Sequence, residues 1–224
     1  MQAAKFDRAW ILPYAHRAGV AESLNEWVAA EVSRYPWLAP GASFHPDDEV
    51  FPALVEHALV DLRLRVVNLH CSVGAFPPSD RRLVPLWEIA ATEGVPILIH
   101  VGQNSPGNTA ASELEALGPV LRSYPRLNLV LAHTGHPSKP AALGLMAQHD
   151  NLYADITPVW LRENEAAPAD LERFAGCFLF GSAAPNSPVS VADQVARFEA
   201  TGLSDHAFDM LMGGTAERLI PGDG

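Results

Sequence analysis

Four histidines close four successive apolar runs of the chain. His45 follows "GASF", His70 ends "RVVNLH", His100 ends "VPILIH", and His133 ends "LNLVLAH". Asp155 stands in the same place in "NLYADIT". A neutral imidazole is a common zinc ligand and a ready proton carrier. An isolated strand histidine is more often a hydrogen-bonded core or rim residue. Four of them on consecutive strands point instead to a shared metal or acid–base site. Asn68 lies two residues before His70, so on a strand the two share a face. His16 and His136 fall in loops, from which they could reach such a site. His57, His149 and His206 fall in helical segments, where solvent exposure is the expectation.

Other chemistries find little support. Cys71 follows His70 directly, and strand neighbours point to opposite faces, so no thiolate–imidazole pair forms there. Ser182 in "FGSAAP" lacks the flanking glycines of a nucleophile elbow. Asp47, Asp48 and Glu49 read as helix-start acids favoured by the dipole. No glycine-rich dinucleotide or phosphate-loop pattern is present.

The elements that must carry these residues alternate regularly. Apolar runs rich in Val, Ile and Leu (8–15, 41–46, 65–72, 95–102, 127–135, 151–157 and 177–185) are separated by amphipathic helical patterns. Nearly unbroken apolar character predicts strands buried on both faces. Strand–helix alternation predicts an α/β fold with a parallel sheet. Polar groups at five strand ends favour a barrel, in which those ends converge on one mouth, over an open sheet. With 224 residues, 48% of them hydrophobic, the chain is expected to form one domain over 1–224.

The formal net charge of −11 argues against nucleic acid as a partner. Two cysteines imply no disulfide framework and a reducing cytoplasm. No stretch is long and apolar enough for a membrane span, and "MQAAKFDRAW" carries charge where a signal peptide needs an apolar core.

With these residues placed, the chain resembles the amidohydrolase-related family of metal-dependent hydrolases and decarboxylases. "VPILIHVG" is similar to the family's fifth-strand motif, which makes His100 a metal ligand. "YPRLNLVLAHTGH" is similar to the sixth-strand motif, with His133 as its ligand. "SFHPDD" and "VVNLHCS" resemble the third and fourth strands, "NLYADIT" the seventh, and "MGGTAERLI" the terminal helix. "FLFGSAAP" resembles the eighth strand, which in the family reads Gly-Ser-Asp-x-Pro. The resemblance implies a TIM barrel holding zinc or another divalent metal.

The departures are as specific as the match. Ala183 stands where the family has an aspartate that serves as metal ligand and proton acceptor. Asn68 and Thr215 replace a frequent lysine and asparagine. The sequence opens at what resembles the second strand, so about seven parallel strands are expected, without the first and without its His-x-His pair. His100 and His133 then supply two metal ligands. A third would come from His70 or, less readily, from His45 or His136, and Asn68 and Asp155 would line the same mouth. Metal is expected to be held weakly or not at all.

The resulting expectation is a degenerate family member that no longer performs the family reaction and instead binds a small carboxylate-bearing ligand or acts as a structural partner. The alternatives are a working metal-dependent hydrolase or decarboxylase rebuilt on His70, His100 and His133, or a shortened form of such an enzyme. The strand edges left by the gap are expected to be covered by closure, by a terminal segment or by a second copy in a homodimer.

Overall fold

The computed structural model describes residues 6–101, 109–157 and 167–220. Residues 1–5 of the N-terminal stretch, and Gly102 at the end of the run 95–102, lie outside them. Among the described residues, eight short strands run in chain order: β1 (Ala9–Trp10), β2 (Leu38–Ala39), β3 (Gly41–Ala42), β4 (Val66–His70), β5 (Ile97–His100), β6 (Leu129–Leu131), β7 (Leu152–Asp155) and β8 (Phe178–Leu179). β1 pairs with β2, and β3 to β8 form one sheet in sequence order. Every pairing is parallel. Pro40 separates β2 from β3 because it has no N–H to give to a ladder. The two pieces therefore occupy one strand position, and the chain fills seven positions.

Sequential parallel order places all the crossovers on one side, as in a barrel. A doubly wound sheet would reverse its order at a switch point. Side-chain alternation gives the same result. Val67, Leu69, Ile97, Ile99, Leu129, Leu131, Leu152, Ala154 and Phe178 belong to the large core shared with the helices. The intervening residues Leu98, Val130, Ala132, Tyr153 and Leu179 form a second, smaller core with Trp10. That second core is the barrel interior.

Helix ends follow local chemistry. Gly94 closes Val84–Glu93 at φ 69°, a left-handed cap that costs glycine little. Ser190 and Ser204 cap the helices Val191–Glu199 and Asp205–Asp209. Some strands are shorter than the apolar runs that contain them. β1 covers two residues because it has a ladder partner on one side only and Pro13 follows closely.

Among the described residues, β8 has no partner beyond β7, and β1 none beyond β2. Side chains span this seam. Phe6 stacks on Phe180, with ring centroids 5.6 Å apart. Leu219 of the helix Thr215–Leu219 is buried with the interior core, and Ala216 packs beside it. Arg218 of the same helix donates to Gly176 O, just before β8. No described helix is long and apolar enough to cross a membrane.

Candidate ligand site at the strand ends

His70 and His100 are register partners on β4 and β5. Registered residues on parallel strands point to the same side, so the two rings lie one on the other. Their centroids are 4.1 Å apart and their planes 3° from parallel. His133 follows β6, and its ring meets that of His100 edge-on at 5.0 Å. The structure thus gathers three histidines at the C-terminal ends of three adjacent strands. Tyr14, half exposed, stands 5.7 Å from His70 and forms one wall.

His133 is held by strand β7. Residues 133–135 turn through three successive left-handed conformations, with φ of 56°, 50° and 67°. Such a backbone is costly for histidine and more so for β-branched threonine. Hydrogen bonds offset the cost. Asp155 Oδ1 accepts from the N–H of His133 (2.9 Å), the N–H of Thr157 (2.9 Å) and the hydroxyl of Thr157 (2.6 Å). Thr134 Oγ1 donates to Asp155 O at 2.8 Å. His133 Nδ1 lies 2.8 Å from Thr157 O and 2.9 Å from Thr157 Oγ1. A carbonyl can only accept, so the ring proton sits on Nδ1 and the Nε2 lone pair is bare.

His70 has the opposite tautomer. Its Nδ1 accepts from Val73 N (3.4 Å) and lies 3.3 Å from Ser72 Oγ. A backbone N–H can only donate, so the proton of a neutral ring lies on Nε2. His100 Nδ1 is buried and has no hydrogen-bond partner among the described residues. Burial, with His133 adding, lowers the His70 pKa to about 4. Burial, then His70 and His133, pushes His100 well below its ordinary value. Both rings are therefore neutral at pH 7, and the pair presents fixed donors and acceptors rather than a positive charge.

The other sequence candidates are placed differently. His45 is absorbed into its own loop: Nε2 lies 2.8 Å from Gly74 O, and Nδ1 accepts from Asp47 N at 3.2 Å. His136 closes the turn through its N–H to His133 O (3.0 Å) and takes no part in the ring cluster among the described residues. Asp155 acts on the site by positioning His133. Asn68 lies on the inward face of β4, one layer beneath His70, and Nδ2 donates to Leu12 O at 3.2 Å. His57 pairs with Asp61 on an exposed helix surface.

Thr157 escaped the sequence reading. Its signal was the i, i+2 spacing from Asp155, which puts both on one strand face. Gly181 is tied to it, because a Cβ at Gly181 would lie 2.4 Å from Thr157 Cγ2. Only a glycine lets the chain after β8 approach this closely. Ala183 follows at φ 50°, half-buried, in a loop that Gln194 holds through Ser182 O (3.0 Å) and Val189 O (3.0 Å).

A divalent metal does not fit these side chains as arranged. An ion bound to an imidazole nitrogen lies near the ring plane along the lone-pair direction. Two separated parallel planes share no point, so one ion cannot be bound this way by both His70 and His100. Their stacking leaves His133 Nε2 and one nitrogen of that pair, and Ala183 offers no oxygen. Zinc sites take at least three protein ligands. Among the described residues, no group of three His, Cys, Asp or Glu side chains could hold a metal.

Residues 8–222 match the family Amidohydrolase. No curated protein matches the chain. A TIM-barrel protein from Bordetella bronchiseptica is 27% identical with a TM-score of 0.72, covering 87% of this chain and 71% of that one. The 5-carboxyvanillate decarboxylase of Sphingomonas paucimobilis is 18% identical with a TM-score of 0.68, covering 89% and 72%. The 5-carboxyvanillate decarboxylase of Novosphingobium aromaticivorans was crystallised with manganese and a nitrobenzoic acid. It is 12% identical with a TM-score of 0.68, covering 89% and 69%. The likeness to the two decarboxylases concerns the fold, a TIM barrel. Sequential parallel strands, an interior core and the family match over nearly all of the sequence lead to one conclusion: the chain belongs to the amidohydrolase family.

Proposed function

We propose that this chain is a degenerate amidohydrolase that binds a small carboxylic acid at the His70–His100–His133 mouth without metal-assisted turnover. The observation that carries the reading is the parallel stacking of His70 on His100, beside an eighth strand whose ligand position is Ala183. His70 Nε2–H offers a donor to either form of a carboxyl group, and His133 Nε2 offers an acceptor to its protonated form. Tyr14 offers an aromatic surface to the rest of the molecule. The decarboxylase from Novosphingobium aromaticivorans, crystallised with a benzoic acid, supports the ligand class by analogy of fold.

The test is calorimetric titration of chelator-treated protein with a panel of aliphatic and aromatic carboxylic acids, beside turnover assays on the same panel. Saturable binding that is lost in His133→Leu, without turnover, is expected. No binding by any acid would overturn the reading.

A second reading, a metal site rebuilt on His70, His100 and His133, draws support from His133, whose bare Nε2 is already held in place by Thr157. It requires the His70 and His100 rings to unstack. Stoichiometric zinc retention with turnover would favour it.

A further inference from the structure

The loop between β1 and the helix Ala21–Val32 carries Tyr14, whose ring stands 5.7 Å from that of His70. A half-exposed loop tyrosine has little packing of its own to hold it. Here buried anchors bracket it. On one side Leu12 O accepts from Asn68 Nδ2 at 3.2 Å. On the other the N–H of Ala15 donates to Ser43 Oγ at 2.7 Å. Ser43 Oγ in turn lies 2.9 Å from Asn68 O. A carbonyl can only accept, so the single hydroxyl proton goes to Asn68 O, and the oxygen accepts from Ala15. Ser43, just beyond β3, is itself fixed. Asn25 of the helix presents its side-chain amide as a neighbouring strand would: Oδ1 accepts from Ser43 N (2.9 Å) and Nδ2 donates to Ser43 O (3.1 Å). Ala15, Asn25, Ser43 and Asn68 are each at most 3% exposed, so water competes little for these bonds.

We infer that Ser43 is a positioning residue of the mouth: it ties the loop after β1 to β4, the strand that carries His70, and so sets the gap between the Tyr14 and His70 rings. Both anchors end on Asn68, two residues before His70, so the loop and the imidazole are referred to one piece of backbone. Tyr14 is then a fixed wall rather than a lid, and a ligand meets a gap that is already built. The effect on ligand affinity rests on the acid-binding reading of the same mouth; the placement of Tyr14 does not.

The experiment joins NMR to a double-mutant cycle. In the wild-type protein the Tyr14 and His70 rings should show a nuclear Overhauser contact. The buried Ala15 amide should exchange about a hundredfold more slowly, or better, than that of exposed His16. In Ser43→Ala the contact and the protection should be lost, and calorimetry with the carboxylic-acid panel should show roughly tenfold weaker binding. In Tyr14→Ala, adding Ser43→Ala should change acid affinity by less than about twofold, because the serine acts through the ring. Equal weakening in both backgrounds would mean a general loss of packing and would overturn the inference. A contact and protection that survive in folded Ser43→Ala would overturn it too. Fast exchange at Ala15 in the wild-type protein would do so even where Ser43→Ala fails to fold. If no acid binds while contact and protection respond as expected, the acid-binding reading falls and the placement of Tyr14 by Ser43 stands.

Discussion

The turn after β6 and the loop after β8 are built alike and end differently. Each carries a non-glycine residue in the left-handed region, His133 at φ 56° and Ala183 at φ 50°. After β6 the backbone cost is offset by Asp155, Thr134 and Thr157, and the result is an imidazole with a fixed tautomer. After β8 the loop is held just as deliberately, by Gln194 and by the close passage of Gly181 over Thr157, and the result is a methyl group. The loop after β8 is thus held as firmly as the turn after β6, yet the side chain at its left-handed position carries no polar group.

The largest effect is expected where the two regions draw on one carboxylate. Asp155→Ala strands three donors around Oδ1, so urea denaturation should show a loss of about 3 kcal/mol or more. A loss below about 1 kcal/mol would mean that the left-handed turn stands by itself. Gly181→Ala should cost less, about 1–3 kcal/mol, because its Cβ must push Thr157 aside. It should also weaken acid binding through the displacement of His133, which a purely local defect would not do.

Acid should weaken the β4–β5 side of the mouth next. The folded pKa of His70 is lowered to about 4, and that of His100 is lowered too, below the ordinary value near 6.5. Between those values the unfolded chain binds more protons than the folded one, so stability rises with pH across that window. The stability present above about pH 6.5 should be lost progressively as the pH falls towards 4. Replacing His70 by Leu should flatten the slope, as followed by thermal unfolding at a series of pH values. The smallest effect lies after β8. Ala183→Gly relieves a left-handed alanine but loosens the unfolded chain, and a net gain of about 0.5–1 kcal/mol is expected.

The fold was legible because parallel strands buried on both faces leave unbroken runs such as "VPILIH", and because amphipathic segments separate them. The three site histidines were legible as polar ends of such runs. His45 ends a run just as clearly, yet its loop supplies Gly74 O and Asp47 N to both ring nitrogens, and no periodicity reveals that. The stacking of His70 on His100 depends on strand register, which two separate stretches of sequence do not disclose. Thr157 went unnoticed because a threonine beyond a strand carries no pattern until the histidine it orients is placed beside it.

Placing a carboxylate at position 183 sharpens the comparison further. Ala183→Asp should raise zinc affinity by adding an oxygen ligand in the loop after β8, and it should give no turnover while His70 and His100 remain stacked. Robust turnover from this one substitution would contradict the degenerate reading. The most direct measurement is elemental analysis of tag-free wild-type protein after zinc loading and gel filtration, with turnover assayed on the same sample. Far less than one ion per chain and no turnover is the predicted result. One firmly held divalent ion per chain, accompanied by turnover of a carboxylic-acid or lactone substrate, would contradict it.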